Sequence, residues 1–420
     1  MREIFRSLRI RNYRLFAAGQ LISHTGTWMQ AVGQDWLVLQ LTGSGVALGI
    51  TMALQFLPML LFGLWGGLVA DRYDKRRLLV GVQAFMAVLA LTLAVLTVTD
   101  LVELWMVYAL ALLLGMATVV DNPTRQAFVS EMVEPADVPN AVALNSATFN
   151  LARILGPATA GLLIAGWGIA PVFFINAASY AAVLAGLLRM RAADLRVTRR
   201  AQAGPGQLRA GLRYVRSHGE LLVPMVLTGV VATFGLNFRV TLSLMSKGPF
   251  HGGAGVYGML SAVLAGGALT GALVSARRYK PRQGVLVGAA LVFGLLEMAL
   301  AAMPNLPLFA VLLFPTGAAV IFFTSTANST IQLASSDRMR GRVMALYALV
   351  FLGGTPLGGP LMGWLAEQFG PPAALAVGGG VSATAAAVTG LILRRRSGRS
   401  IPWRPSRLRW PAPAPYDAVR

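Results

Sequence analysis

The chain has 420 residues, of which 56% are hydrophobic and only 12% charged. Soluble domains carry about 25% charged residues, so this composition excludes an ordinary soluble protein built from amphipathic helices. The chain has no cysteine and three scattered histidines, which excludes a disulfide framework and a thiolate or histidine metal cluster. The net charge of +20 would suit a nucleic-acid partner only if the basic residues formed a binding surface.

Apolar runs of about 20 residues, the length that crosses ~30 Å of hydrocarbon, recur along the whole chain. These runs are too long and too uniform for barrel strands, and helices satisfy their own backbone groups in lipid. We therefore predict an all-α integral membrane protein with twelve transmembrane helices. The predicted spans are 13–41, 46–70, 78–98, 104–128, 138–166, 170–189, 221–244, 254–276, 283–303, 306–326, 338–366 and 371–393.

The basic residues orient this topology. Of the 36 Lys and Arg residues, all but three fall on the side that carries both chain ends, and Arg125 is counted on that side. The exceptions are Arg153 and Arg239 within helices and Lys247 on the opposite side. The positive-inside rule makes the basic side cytoplasmic, so we predict a multi-pass protein of the cell inner membrane with both termini in the cytoplasm. This distribution accounts for the net charge without nucleic acid and makes membrane lipids the expected partner.

The first predicted helix carries a polar stripe. Its members, which fall within one arc at 100° per residue, are Gln20, Ser23, His24, Thr27, Gln30, Gln34 and Asp35. Charged groups at membrane depth usually face a cavity or a partner, so the stripe should line a water-filled path. Asp35, with His24 on the same stripe, is our candidate for a proton carrier or cation site, and a buried structural ion pair or an interfacial carboxylate is the equal alternative. Arg239 in the seventh predicted helix is its expected partner when the outer gate closes.

Three further groups of polar residues are candidates for the interior. Arg153 in the fifth predicted helix could hold an anionic group of a substrate, bidentately if that group is a carboxylate or phosphate; the alternative is a pair with Asp121 or a backbone carbonyl. Glu297 in the ninth predicted helix is a weaker coupling candidate than a structural one. Further candidates for lining a substrate cavity are Asn145, Asn150, Asn237 and Asn328.

Residues 190–220 form the longest internal loop, with leucines and arginines on different faces of a short helix that would lie on the membrane surface. This loop divides the chain into two halves that look like a degenerate repeat. We predict four units, at 1–190, 191–220, 221–393 and 394–420: a six-helix bundle, a cytoplasmic linker, a second six-helix bundle and a basic, proline-rich tail.

The stretch 67–77 resembles the loop between helices 2 and 3 of the major facilitator superfamily, Gly-x-x-x-Asp-Arg-x-Gly-Arg-Lys/Arg. The residues that match are Gly67, Asp71, Arg72, Lys75 and Arg76. Asp74 stands where the family usually has glycine, so the turn must be made differently. The resemblance covers residues 5–393 and implies two pseudo-symmetric six-helix bundles around a central site, as in secondary transporters.

Short stretches resemble the subgroup of this superfamily that contains enterobactin exporters and macrolide-efflux proteins. They are Phe5-Arg-Ser-Leu, Asn12-Tyr13-Arg14, Gly26-Thr27-Trp28-Met29-Gln30, Asn140-Ala-Val-Ala-Leu-Asn145 and Arg340-Gly-Arg-Val-Met344. The fifth helix also resembles the superfamily's antiporter signature, Gly-x8-Gly-x3-Gly-Pro-x2-Gly-Gly. The positions that correspond are Ala143, Ala152, Gly156, Pro157, Ala160 and Gly161. This implies export by antiport, with ordinary packing of small residues as the alternative.

The resemblance also implies roles for the charged loop. Asp71 would lie at the start of the eleventh helix, near 337–342, where the helix dipole favours a carboxylate. Lys75 or Arg76 would reach Asp121 at the inner end of the fourth helix. Together these contacts would form a latch that stabilises the outward-open state. The arginine that drug–proton antiporters of the family carry in helix 4 is replaced here by Ala111.

These observations lead to one expected function and two alternatives. We expect a monomeric, proton-coupled exporter of a small, moderately hydrophobic molecule such as a drug or siderophore. The alternatives are an importer or lysophospholipid transporter of the same fold, and a non-transporting membrane receptor or scaffold. The sequence has no phosphate-binding loop of the Walker type and no catalytic or metal-binding constellation. We therefore expect no enzymatic activity, cofactor or metal.

Overall fold

The computed structural model describes residues 5–196, 207–276, 283–337 and 339–397. The long helices of these segments are α1 (Arg11–Thr42), α2 (Gly45–Arg72), α3 (Lys75–Val98), α4 (Leu104–Met132), α5 (Val138–Trp167), α6 (Ala170–Arg189), α7 (Gln207–Ser217), α8 (Gly219–Phe234), α9 (Phe238–Lys247), α10 (Ala254–Ala276), α11 (Gln283–Ala301), α12 (Leu306–Ala334), α13 (Arg340–Phe369) and α14 (Pro371–Ser397).

Twelve spans account for these helices except α7, which has 11 residues. Eleven are long and apolar enough to cross a membrane, with α8 and α9 counted together as one. The twelfth is α1, whose 32 residues reach about 48 Å at 1.5 Å per residue but whose polar stripe lowers its hydropathy. The predicted fold class is confirmed. The domain boundaries stay predictions, and residues 197–206 of the linker and 398–420 of the tail lie outside the described residues.

The helices pack as two equivalent bundles, α1–α6 and α8–α14. In the first bundle α2 packs along α4, α3 along α6 and α1 along α5; in the second, α10 packs along α12, α11 along α14 and α8 along α13. Two longer crossings join the bundles, α2 with α13 and α5 with α10. Counted in span order, each helix pair of the first bundle corresponds to the equivalent pair of the second bundle. This correspondence is the pseudo-symmetry of the fold.

The seventh span is broken, which differs from the continuous helix predicted over 221–244. Residues Gly235, Leu236 and Asn237 separate α8 from α9. Glycine and asparagine are weak helix formers, and a short polar side chain competes for backbone partners. Here the Asn237 amide donates to the carbonyl of Thr233 at 2.7 Å. Arg239 therefore stands in the first turn of a new helix.

The helix bundle has two ends that differ in charge. We call the end that carries residues 5–10, the loops 73–74 and 190–196 and the start of α13 the basic end. The opposite end carries the loops 43–44, 99–103, 248–253 and 302–305, and we call it the far end. The two ends are thus defined by where the helices begin and end.

The far end is closed by contacts between the two bundles. At the crossing of α2 and α13, a Cβ on Gly49 would lie 2.5 Å from the backbone nitrogen of Pro360, so glycine is required for this approach. At the rim, the Glu367 carboxylate of α13 accepts from the Ser44 hydroxyl at 2.5 Å and from the Val46 amide at 2.9 Å. The Lys247 ammonium donates to the carbonyl of Leu39, in the last turn of α1, at 2.7 Å.

Candidate functional site

A cavity of about 410 Å³ lies between the two bundles at the middle of the helices. We call it the central cavity. Its volume is in the range of sites for drug-sized molecules. Aromatic and aliphatic side chains make up most of its wall, and two arginines, Arg153 and Arg239, interrupt the apolar surface. The aromatic and apolar members include Trp28, Met52, Phe56, Phe149, Leu242 and Phe351.

The far-end wall of the central cavity is a buried charge cluster that we call the charge lock, formed by Asp35, Arg239 and Tyr257. The Arg239 guanidinium donates to both carboxylate oxygens of Asp35, from Nη2 at 2.6 Å and from Nε at 2.9 Å. The Tyr257 hydroxyl donates to Asp35 Oδ2 at 2.6 Å. Asp35 is fully buried, and Arg239 keeps 22% of its side chain exposed toward the cavity. A fork-shaped pair of this kind combines charge with fixed geometry.

The charge lock joins the two halves of the chain. Asp35 belongs to α1, whereas Arg239 and Tyr257 belong to α9 and α10. Arg239 also donates to Gln55 of α2 at 3.2 Å. Among the ion pairs between described residues, this is the one that connects the bundles; the others lie within α1–α6 and its adjoining loops, or at the start of α13. The structure thus brings together the two residues that the sequence paired.

The polar stripe of α1 faces a second space of about 270 Å³, the side pocket, which shares part of its wall with the central cavity. His24, Thr27, Gln30 and Gln34 line the side pocket. Asn176 of α6 donates to Gln30 at 2.6 Å, whereas the buried Gln34 Nε2 has no partner among the described residues. The stripe therefore borders a polar space, as expected for a helix that faces a path.

A second charge pair at the side pocket was missed in the sequence. Arg125 of α4 pairs with Asp121 one turn earlier, and its other branch contacts Gln20 and approaches His24. The sequence topology counted Arg125 with the basic loops, but α4 continues to Met132 and buries it. The spacing of four residues between Asp121 and Arg125 was the available signal. Asp121 also accepts from Gln83 at 2.7 Å.

Arg153 has a different environment from the other interior arginines. Its guanidinium carbon lies 5.8 Å from the centroid of the Trp28 ring, within the range of a cation–π contact. It lines the central cavity, and among the described residues it has no hydrogen-bond or ion-pair partner. The alternative pairing with Asp121 is not formed, because Asp121 is bound by Arg125.

The remaining candidates are distributed unevenly. Asn328 lines a pocket of about 580 Å³ near the basic end of α12 and α13, which shares Thr324 and Phe351 with the central cavity. Asn237 is buried at the break between α8 and α9, and Asn150 donates to the carbonyl of Ser146 in its own helix. Besides the buried Asp35, the coupling and cavity candidates that line none of these three cavities are Gln20, Asn145, Asn150, Asn237 and Glu297.

Glu297 is 2% exposed in α11, on the side that packs against α14. Its Oε2 has no partner among the described residues. It lies beside Gly378, where a Cβ would be 3.1 Å from Glu297 Oε1. This position, away from the three cavities, agrees better with the structural alternative than with a role in coupling.

The small-residue motif of α5 packs against both bundles. Gly156 faces α1, where a Cβ would lie 2.5 Å from the Trp28 Cβ. Gly161 faces Gly258 of α10, where a Cβ would lie 3.1 Å from the Gly258 Cα. Ala152 and Ala160 are fully buried, Pro157 lines the central cavity, and Ala143 is exposed. The motif thus sets two close helix approaches, one within a bundle and one between bundles.

The charged loop between α2 and α3 lies at the basic end. Asp74 accepts from the Arg77 amide at 2.7 Å and caps α3, which is how the turn forms without glycine. Lys75 pairs with Glu131 at 2.6 Å, and Arg76 donates to the carbonyls of Leu187 and Leu188 at the end of α6. The expected contact of Lys75 or Arg76 with Asp121 is therefore replaced, because α4 extends to Met132 and presents Glu131 instead.

The side chains of Asp71 and Arg72 have no hydrogen-bond or ion-pair partner among the described residues. A Cβ on Gly67 would meet nothing within 4 Å, and the same holds for Gly341 at the start of α13. The contact of α2 with α13 at the far end extends as far as Gly353, where a Cβ would lie 3.1 Å from Leu60. The basic ends of α2 and α13 do not make the expected Asp71 contact in this state.

Two six-helix bundles around a cavity, sealed at one end by contacts between the bundles, define a membrane transporter. The chain belongs to the major facilitator superfamily: the model of its transmembrane secretion effector family matches residues 3–418.

Relatives of named function match most of the chain. The staphyloferrin A transporter of Staphylococcus aureus is 25% identical over 85% of this chain and 90% of its own length. The multidrug efflux pump Tap of Mycolicibacterium fortuitum is 28% identical over 85% and 89%. Macrolide efflux protein A of Streptococcus pyogenes is 21% identical over 88% and 92%. The crystal structure of the nucleoside transporter NupG superposes with a TM-score of 0.72 at 14% identity, covering 91% of this chain and 99% of that one.

Proposed function

We propose that this protein is a secondary active exporter that moves a small, moderately hydrophobic molecule out of the cell in exchange for protons. The relatives that carry this proposal are a multidrug efflux pump, a macrolide efflux protein and a siderophore transporter. The mostly apolar central cavity of about 410 Å³ suits such a molecule. The protein acts as a monomer in the cell inner membrane, since each chain holds its own cavity.

The orientation follows from the distribution of charge. The basic end faces the cytoplasm by the positive-inside rule, which places both termini there. The far end, closed by the α2–α13 and α5–α10 crossings, then faces outward. The described conformation is inward-open, ready to receive a substrate from the cytoplasm.

The observation that carries the coupling proposal is the charge lock. Among the described residues it is the ion pair between the bundles, on the outward side of the cavity, and it depends on the negative charge of Asp35. A proton on Asp35 cancels that charge and turns one carboxylate oxygen from an acceptor into a donor. Arg239 then keeps an uncompensated charge in a poorly hydrated place. Protonation of Asp35 therefore weakens far-end closure. In the exchange cycle the proton reaches Asp35 from the far end and leaves toward the cytoplasm, after which the ionised Asp35 again pairs with Arg239 and holds the far end closed.

The test is proton-driven efflux by the Asp35→Asn variant in everted membrane vesicles. Asparagine keeps the shape of the side chain but cannot carry the charge, so we expect efflux of a neutral dye, Nile red, and of an anionic dye, fluorescein, in a pH gradient to fall at least tenfold. Exchange of labelled for unlabelled substrate without a gradient should persist. Glu134→Gln, which removes an exposed carboxylate paired with Arg196 at 2.8 Å, is the matched control. Unchanged proton-driven efflux by Asp35→Asn would show that Asp35 does not couple transport.

The charged loop at the basic end supports a second part of the proposal. Gly67 and Asp71 are free of contacts on α13 in this state, while Lys75 and Arg76 hold α3 to α4 and α6. We assign Asp71 to a latch that engages the start of α13 when the basic end closes. The latch thereby stabilises the outward-open state, and its loss favours the conformation described here.

A further inference from the structure

The central cavity contains one charge that the protein does not neutralise. Arg239 is compensated by Asp35, and Arg125 by Asp121. Arg153 lines the same cavity, half-buried and without a hydrogen-bond or ion-pair partner among the described residues. A cation in low-polarity surroundings is costly unless it is paired. The wall of the central cavity therefore carries one positive charge, on Arg153, that has no carboxylate partner among the described residues.

The packing of α1 on α5 fixes where this charge points. Gly156 lies one turn after Arg153, and its missing side chain lets α1 approach α5 closely at the Trp28 Cβ. The Trp28 ring then lies 5.8 Å from the Arg153 guanidinium. Phe149, one turn before Arg153, meets Trp28 edge to face with ring centroids 5.9 Å apart. Trp28 thus contacts the guanidinium, and Arg153 lines the cavity beside it.

The surroundings select the chemistry of a ligand for Arg153. Asp35 accepts three hydrogen bonds from Arg239 and Tyr257, and Asp121 is bound by Arg125 and Gln83. No carboxylate among the described residues is therefore free to receive a cation in the cavity wall, and Arg153 repels one. A planar guanidinium with free donors matches a carboxylate, sulfonate or phosphate, which can accept two parallel hydrogen bonds.

We propose that the substrate is an amphipathic anion whose acidic group binds Arg153 and whose apolar body occupies the central cavity beside Trp28. This rests on the proposed function insofar as the central cavity is the transport site. The acidic group gains a charge-assisted pair, and the apolar body is removed from water against Phe56, Phe149 and Phe351. Both ends of the molecule are needed, so small inorganic anions bind weakly.

The test measures charge preference directly on the purified full-length protein in dodecyl maltoside. The probes share one ring system: 2-naphthylacetate, its neutral amide, and 2-(2-naphthyl)ethylammonium. Dissociation constants are measured by equilibrium dialysis at 0.3 M salt, which screens the net charge of +20. We expect 2-naphthylacetate to bind at least tenfold more tightly than the amide, and the ammonium probe to bind most weakly.

Variants assign the preference to Arg153. Arg153→Gln should bind the acid and the amide within a factor of three of each other, whereas Arg153→Lys should keep part of the preference because it keeps the charge without the fork. Arg14→Gln, at an exposed site near the basic end of α1, is the matched control and should behave as the wild type. Trp28→Phe should weaken binding of all three probes less than Arg153→Gln weakens binding of the acid.

Three results would overturn the proposal: a wild-type protein that binds no probe, one that binds acid and amide equally, or an Arg153→Gln variant that keeps the preference for the acid. The measurement uses no proton gradient. It can therefore fail while proton-driven efflux of the neutral dye Nile red stands, and it can succeed even if Asp35→Asn transports normally. Failure of the anion site and failure of the proposed function are thereby distinguished.

Discussion

Replacing Tyr257 with Phe removes a single hydroxyl from the charge lock and leaves the ring in place. That hydroxyl donates to Asp35 Oδ2 at 2.6 Å across the boundary between the bundles. A hydrogen bond to a charged group contributes about 1.5–3 kcal/mol. At about 1.4 kcal/mol for each factor of ten, the population with the far end open should rise roughly tenfold to a hundredfold relative to the closed state.

A cysteine buried only in the closed state can report this change even when the open state is rare. The chain has no cysteine, so Ala254→Cys introduces a single thiol. Ala254 is 3% exposed and lies one turn before Gly258, on the face of α10 that packs against α5. A membrane-impermeant maleimide added to intact cells or spheroplasts labels it in proportion to the open population, provided that reclosing outpaces labelling.

The control is Tyr347→Phe, which removes a Tyr hydroxyl that donates to Thr324 at 3.3 Å within the second bundle. This bond does not cross the boundary between the bundles, so the labelling rate of Ala254→Cys should stay within a factor of two. If Tyr257→Phe also changed the rate less than threefold, the charge lock would contribute little to far-end closure. The inference that Asp35 links protonation to opening would then lose its structural basis.

Two further substitutions should change the same labelling rate in opposite directions. Gly49→Leu places a side chain where a Cβ alone would lie 2.5 Å from the backbone of Pro360, so it blocks closure of the far end. Labelling should rise at least tenfold and efflux should fall to background. Normal efflux would contradict the inference that α2 and α13 must approach closely at Gly49. Asp71→Ala removes the proposed latch and should lower labelling about two- to fivefold, which corresponds to the free energy of a carboxylate at a helix start. Binding of 2-naphthylacetate should stay unchanged. A higher labelling rate or a loss of binding would contradict the latch.

The fold could be predicted from sequence because its determinants are local. Each span is an apolar run of sufficient length, and the alternation of basic and neutral loops fixes how the spans follow one another. The polar stripe on α1 could be read from helical periodicity alone. Asp35 and Arg239 could be paired because few charges occur at membrane depth, and a charge there requires a partner.

The rest depends on distances between residues far apart in the chain. Tyr257 gives no signal in sequence, since a tyrosine in an apolar helix is usually a packing residue. Glu131 partners Lys75 only because α4 runs four residues beyond its predicted end. The break before α9 follows from Gly235 and Asn237, yet such residues also occur inside continuous helices. Arg125 could have been found from its spacing to Asp121, because both residues lie within the predicted span 104–128.

The rim of the far end has a consequence for local stability. In the first turn of α2 the Val46 amide donates to Glu367 of the other bundle, and near the end of α1 the Leu39 carbonyl accepts from Lys247 of that bundle as well as from the Gly43 amide. Opening withdraws both side chains, so the Val46 amide loses a partner that its own bundle does not supply and the start of α2 becomes prone to fraying. Amide hydrogen exchange at Val46 would therefore be slow in one state and fast in the other. The exchange rate of this amide would therefore measure how often the far end opens.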